Sequence, residues 1–222
     1  MNNPATKKDT TYIWVTWLTP FLSGESHCQW SAWFQSNYKF SKLESNFDFE
    51  DWNLKHSRLV NQRAESLDEQ GFDVYVEDAN SFVITGKDGV TKVAGKPDIV
   101  AIKDNQAIVE DCKTGKRKPS DIMQVLTYML LLKAPGSPEH CKNLNFDGRL
   151  IYNDVVMDID QSLFDEEFKA DFKKIVTTVS STVPAKKSPS LRECKYCKIS
   201  TEYCPERVKE KPPEDFGEHD LF

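Results

Sequence analysis

The stretch GKPDIVAIKDNQAIVEDCKTGK, residues 95–116, constrains this chain more than any other. Two apolar runs flank the polar tetrad Lys103-Asp104-Asn105-Gln106, the composition of a tight hairpin turn. If the strands pair across Asp104-Asn105, residue 103 faces 106 and 102 faces 107, and the same register sets Asp98 opposite Asp111. Directly opposed residues of an antiparallel pair have Cβ atoms roughly 4.5–5.5 Å apart, where like charges destabilise. Two carboxylates there require a cation or a proton between them. Side chains alternate along a strand, so Lys113 shares a face with Asp111 while Glu110 and Cys112 take the other. Ile99, Val100, Ala101, Ile102, Ile108 and Val109 are apolar on both faces, which marks a central strand pair covered on both sides. The acidic pair and its lysine therefore stand where the sheet leaves its core.

Paired carboxylates are hard oxygen ligands suited to Mg²⁺ or Mn²⁺, ions that keep several waters and share them with substrate phosphate. A lysine beside them can orient or deprotonate a water and stabilise charge developing on phosphate. The reaction class that this set fits is metal-assisted phosphodiester hydrolysis. The lysine-rich KTGKRKP follows directly, and Lys116, Arg117 and Lys118 are expected to touch a DNA backbone, with Lys186 and Lys187 as a secondary contact. A net charge of −6 excludes a chain that coats nucleic acid through its overall field, so such contact must be local.

Around the hairpin the apolar period identifies the other elements. Residues 48–70 have helical spacing and end at Gly71, whereas 72–78, 81–86, 90–102 and 107–113 alternate as strands. A helix over 120–133 is expected after Pro119, capped by Ser120 or Asp121 and apolar around most of its circumference. Strands at 148–152 and 155–159 and a helix over 161–181 complete an α+β fold with a mixed central β-sheet flanked by helices. At 222 residues, one sizeable core is expected. The organisation reads as an aromatic N-terminal segment over 1–45, a core over 46–183, a cysteine segment over 184–207 and an acidic, disordered tail over 208–222. The apolar run 12–24 carries Thr16, Thr19 and Pro20, lacks a small-x-small cleavage site and is too short to span a bilayer. It reads as core-forming, in a cytoplasmic protein with no membrane partner.

Cys194, Cys197 and Cys204 are spaced C-x2-C-x6-C, the pattern of metal ligands one short of a tetrahedral or cubane set. Of the other three cysteines, Cys112 falls on the face away from the acidic pair and reads as a core thiol. Cys28, within an aromatic segment, and Cys141, beside His140, both remain as the fourth ligand. On ligand type alone, four thiolates favour zinc.

Pro97-Asp98, then Asp111-Cys112-Lys113, then Gln124 and Tyr128 as Q-x3-Y resemble the PD-(D/E)xK nuclease superfamily in its RecB-like branch. The cysteine order further resembles the CRISPR-associated RecB-like exonucleases and AddB-type helicase-nuclease domains, which hold a [4Fe-4S] cluster through one cysteine before the core and three after it. Cys28, Cys194, Cys197 and Cys204 match that order, although Gln29 stands where many relatives have proline. The resemblance implies a restriction-endonuclease-like core and exonuclease action on single-stranded DNA, in repair or beside a CRISPR integrase. It implies Asp98, Asp111 and Lys113 as catalytic, with Gln124 and Tyr128 orienting the lysine or the strand. It implies Mg²⁺ or Mn²⁺ held by His56, Asp98, Asp111 and the Cys112 carbonyl, with Asn61 as alternative to His56 in another register, and iron–sulfur in place of zinc. The competing reading is a RecB-like module that holds DNA or protein without cutting.

Overall fold

The computed structural model describes residues 4–44 and 47–209; the acidic tail expected over 208–222 lies outside them beyond Lys209. The N-terminal part comprises β1 (Thr6–Lys7), β2 (Thr11–Trp14), α1 (Val15–Leu22), α2 (Gln29–Asn37) and β3 (Tyr38–Lys39). The long helix α3 (Phe49–Glu69) follows, capped by Asp48, whose carboxylate accepts the Asp51 N–H at 3.0 Å. Then come β4 (Asp73–Val76), β5 (Phe82–Thr85), β6 (Thr91–Gly95), β7 (Ile99–Lys103), β8 (Gln106–Lys113), α4 (Pro119–Leu131), β9 (Phe146–Tyr152), β10 (Val156–Asp158), α5 (Glu166–Ser180) and α6 (Leu191–Lys195). No helix among the described residues is long and apolar enough to cross a membrane.

Among the described residues the strands form a five-stranded sheet in the order β10-β9-β8-β7-β4, a three-stranded sheet β2-β6-β5 and the β1-β3 pair. The larger sheet is mixed, because β8 pairs antiparallel with β7 and parallel with β9. Its hairpin has the register read from the sequence, Lys103 opposite Gln106 and Ile99 opposite Glu110. Asp104 takes φ 51° at the turn, a left-handed conformation that aspartate tolerates better than most residues.

The expected strand over 90–102 is instead two strands in different sheets, β6 and β7. The cause is local: Pro97 has no N–H for a ladder, so the chain leaves one sheet at Gly95 and joins the other at Ile99. Two other boundaries shift. The strand expected over 72–78 gives way at Glu77 to a 3₁₀ turn, and the helix expected over 161–181 is a 3₁₀ turn at Gln161–Leu163 followed by α5. The cap of α4 also differs: Pro119 is its first residue and Lys118 its N-cap, with the Asp121 carboxylate reaching back to the Lys118 N–H at 3.0 Å.

Both faces of the β7-β8 pair are covered, as their two-sided apolar character requires. On one side α4 packs with Val125, Leu126 and Met129 among Val109, Phe146 and Leu150. Gly148 of β9 admits that helix, since a Cβ there would lie 2.6 Å from Val125 Cγ1 and 2.8 Å from Met129 Sδ. On the other side α3 places Val60 and Leu67 over Ile99, Ala101 and Cys112. The chain's two ends form a separate aromatic cluster, in which Trp30, Phe34, Cys28, Ile199 and Cys204 are buried together. Trp33 Nε1 donates to the Ser181 carbonyl at 2.7 Å, and the N–H groups of Trp30 and Leu43 donate to the carbonyls of Lys186 and Lys198.

One charge lies inside the α3 face. Glu110 is 0% exposed, and Arg63 of α3 answers it with two hydrogen bonds of 2.7 Å, from Nε and Nη2. A bidentate guanidinium is the geometry that such a carboxylate needs, and its removal strands the charge. Arg63→Ala is therefore expected to lower unfolding stability by about 3–5 kcal/mol, measured by urea denaturation, with Arg149, 3.5 Å from Glu110, too distant to compensate fully. A loss below about 1 kcal/mol, the scale of an exposed pair, would show that the pair contributes no more than a surface contact.

Candidate active site

The break at Pro97 frees Asp98 from the ladder and turns its carboxylate toward β8. Asp98 Oδ2 accepts the Cys112 N–H at 2.7 Å, and Oδ1 lies 3.2 Å from His56 Nε2 on α3. The hydrogen bond to Asp98 raises the His56 pKa above its ordinary value, outweighing burial. The His56 ring is stacked on Trp52 one turn earlier, at 4.9 Å and 13°. Asp111, the next acid, is buried, with Oδ2 2.5 Å from Lys113 Nζ. Burial pushes the Asp111 carboxyl up to about 7, and Asp98 adds to the shift against the pull of Lys113. Burial alone would lower the Lys113 ammonium, but Asp111 and Asp121 hold it above its ordinary value.

Gln124 joins these groups from α4. Its Oε1 accepts from Lys113 Nζ at 2.9 Å, while Nε2 donates to Asp111 Oδ1 at 2.9 Å and to the Tyr128 hydroxyl at 3.0 Å. Tyr128 donates in turn to the Lys96 carbonyl at 3.3 Å, and burial keeps its hydroxyl protonated. Gly95 makes room for that ring: a Cβ there would lie 2.9 Å from Tyr128 Cε1 and 2.4 Å from Phe82 Cζ. The Q-x3-Y pair thus ties the helix to both arms of the site, since residues four apart share a helix face.

Two contributors were not singled out in the sequence. Asp121, which its sequence position marks only as a helix cap, has Oδ1 4.0 Å from Lys113 Nζ and Oδ2 accepting from the Tyr152 hydroxyl at 2.9 Å. A third acid on the helix after the hairpin, three residues before Gln124, was the available signal. Trp52, four residues before His56, was legible by the same helical spacing.

A cleft of about 810 Å³ opens over Asp98, Asp111 and Lys113. Lys116 and Lys118 line it with Phe47 and Trp52, whereas Arg117 turns to Asp154 at 2.9 Å and lies over the Tyr152 ring. Lys187 pairs with Glu206 at 2.9 Å, beside the cysteine segment. The Cys112 side chain is buried under α3, and its N–H serves the site. Among the described residues no three His, Cys, Asp or Glu side chains come together as a ready set for one metal ion. The donors of the cleft are engaged with each other instead, Asp111 Oδ2 with the Lys113 ammonium and Oδ1 with Gln124 Nε2. A buried, charge-disfavoured carboxylate beside a second one is a donor set that fits a hard divalent cation.

Cys28, Cys194, Cys197 and Cys204 line one small cavity with Trp30 and Ile199, and all are free thiols. Cys28 Sγ accepts the Ser188 N–H at 3.5 Å and Cys194 Sγ the Val208 N–H at 3.4 Å, contacts that suit thiolate ligands. Arg207 braces the turn by donating to the carbonyls of Cys194, Cys197 and Ile199 at 2.7–2.8 Å. These soft donors fit a thiolate-bound metal or cluster. Cys141 is buried in the main core with its thiol pushed up to about 12 by burial, and His140 is stacked on Tyr75, so neither joins the other cysteines.

The profile of the PD-(D/E)XK nuclease superfamily matches residues 18–205. No curated protein matches the chain. Among solved structures it is similar to the crystal structure of SSO0001, with 17% identity over 92% of this chain and 90% of that one and a TM-score of 0.44.

If the two carboxylates share a cation, Mn²⁺ at about 100-fold over its Kd should raise Tm by about 5–10 °C, read by calorimetry. Asp98→Asn/Asp111→Asn should abolish the shift. Because the Asp111 carboxyl is held up to about 7, a proton competes with the metal below that pH, so the shift should be larger above pH 7 than below it. An equal shift in the double variant would place the metal elsewhere.

Proposed function

We propose, from the premise that the chain belongs to the PD-(D/E)XK nuclease superfamily, that it is a metal-dependent deoxyribonuclease acting as an exonuclease on single-stranded DNA. The observation that carries this reading is the bonded set Asp111, Lys113 and Gln124, with Asp98 held beside it by the Cys112 N–H, at the open end of a buried hairpin under a cleft lined by Lys116 and Lys118. Asp98, Asp111 and His56 would hold Mg²⁺ or Mn²⁺, with the Cys112 carbonyl a further donor. When bound, such an ion polarises the phosphoryl oxygen and makes water a better nucleophile at neutral pH.

The chain's own part follows from the bonds. Lys113 is held above its ordinary pKa by Asp111 and Asp121, so it stands in the site as a cation. Its ammonium, held between Asp111 and Gln124, orients the attacking water and stabilises charge gathering on the phosphate as the leaving oxygen departs. Gln124 aims that ammonium, and Tyr128 and the Lys96 carbonyl aim Gln124. Phe47 and Trp52 at the cleft are flat apolar surfaces on which unpaired bases stack, which supports a single-stranded substrate.

Cys28, Cys194, Cys197 and Cys204 would hold a [4Fe-4S] cluster that fastens the two ends of the chain, a reading supported by their shared cavity and by the motif order. Trimming of strands for an integrase and a cytoplasmic setting rest on the sequence reading alone.

The test of the catalytic claim is cleavage of an end-labelled single strand with Mn²⁺. Lys113→Ala should lower the rate by about 10²-fold or more, the scale of a lost charge stabiliser; equal activity in both proteins, or none in either, sinks the enzyme reading. Anaerobically purified protein should be brown and contain iron and sulfide, and Cys28→Ser should lose them together with stability. A colourless protein that contains zinc would overturn the cluster.

A further inference from the structure

The cleft meets a second cavity of about 530 Å³, and Thr16 and Lys118 line both. Helix α1 supplies Trp17 and Phe21 to the second cavity, while α6 and the turn after it supply Arg192, Tyr196 and Lys198. Its acids are occupied within the protein. Glu25 accepts from the Ser120 N–H and the Ser23 hydroxyl, both at 3.2 Å, and Glu193 from the Ser26 hydroxyl and the His27 N–H, both at 2.7 Å. Its cations are not: among the described residues Lys42, Lys118, Arg192 and Lys198 form no ion pair with a carboxylate.

Two of those cations lie near aromatic rings instead. Lys42 Nζ is 5.9 Å from the Trp17 ring and Lys198 Nζ 5.7 Å from the Phe49 ring, while Tyr196 is 80% exposed. Unpaired cations gathered in a concave channel focus positive potential, here in a chain of net charge −6. Cations set beside one highly exposed ring, Tyr196, complement a polymer that carries both phosphates and flat apolar bases. An acidic peptide would answer the cations alone and make no use of the exposed Tyr196 face.

We propose that the second cavity is a binding tract for the part of an unpaired nucleic-acid strand that extends beyond the cleft. Arg192 and Lys198 take phosphates, and Tyr196 stacks on a base. The tract rests on the nuclease reading of the cleft, from which it continues through Lys118.

The test is anisotropy of a labelled oligodeoxythymidine bound to the full chain in EDTA, so that no cleavage intervenes, across a series of salt concentrations. Arg192→Ala/Lys198→Ala should flatten the slope of log K against log salt by about 1.4, at about 0.7 per single-strand phosphate contact. Tyr196→Ala should weaken binding about fivefold or more without altering that slope, and Tyr196→Phe should restore it. Lys173→Ala/Lys174→Ala removes the same charge from exposed positions on α5 and should do neither. Unchanged affinity in the tract variants, or an equal loss in the α5 variant, overturns the tract. So does displacement of the strand by polyglutamate at equal monomer concentration, which would assign the cavity to an acidic peptide. The two readings fail separately: a chain that cleaves but ignores these substitutions loses only the tract, and one that binds through them but never cleaves loses only the nuclease.

Discussion

Holding Asp98 and Asp111 side by side in a nearly dry place is the difficulty to which the rest of the site answers. Desolvating a carboxylate costs several kcal/mol even after relaxation, and a like charge alongside adds to it. The hairpin meets part of that cost with backbone. The β7-β8 ladder ends at Ile99 and Glu110, and the Pro97 carbonyl accepts from Asn80 Nδ2 at 3.4 Å, so the Cys112 N–H is taken by the Asp98 carboxylate. The Asp98 carbonyl meanwhile accepts the Glu77 N–H at 2.8 Å, which keeps its backbone joined to β4. Asp111 is met by side chains, Lys113 and Gln124, and so depends on α4 being placed correctly. That placement follows from Pro119 starting the helix and from Gly148 and Gly95 leaving space for it.

The hairpin was legible because its signals agree. A turn of polar residues fixes the register, and apolar residues on both faces make a slip of one residue costly. The same apolar continuity misled over 90–102, where alternation ran on through Lys96-Pro97-Asp98 and concealed a change of sheet. Proline's missing N–H was the physical clue, and it deserves more weight than periodicity where a strand is central. Asp121 escaped notice for a related reason: a carboxylate in the first turn of a helix is fully explained by capping. Here one side chain serves the Lys118 N–H, the Tyr152 hydroxyl and the field around Lys113 together. Arg117 shows the limit of reading a basic run as one surface, since successive loop residues point different ways and a single acid, Asp154, draws it off.

The cysteine segment lay at the edge of what sequence can give. Spacing identifies three ligands, but a fourth 166 positions away is a matter of tertiary path, and local pattern left Cys28 and Cys141 on equal terms. The difference between them is burial. Cys141 sits in the main core among aliphatic side chains, whereas Cys28 begins the aromatic helix α2 against which the last part of the chain packs. The aromatic richness of 12–40 therefore has a structural meaning: Trp30, Trp33 and Phe34 are the surface that receives the C-terminal segment.

That arrangement also bears on how the two ends serve the cleft. Helix α6 has five residues, far below the length at which a helix holds itself. Glu193 fastens it to Ser26 and His27, and Arg207 fastens the following turn, yet these are hydrogen bonds near the surface, worth about a kcal/mol each. Arg192, Tyr196 and Lys198 project from this lightly held piece into the space beside Lys118. A wall that is to meet a strand in one orientation has to be ordered before the strand arrives, or the ordering is subtracted from affinity. Cys28, Cys194, Cys197 and Cys204 line one cavity that α6 borders, and the metal group proposed for it would supply that order. On the proposed reading, the cysteines and the carboxylates thus address one requirement, a surface fixed in advance for a flexible, highly charged ligand.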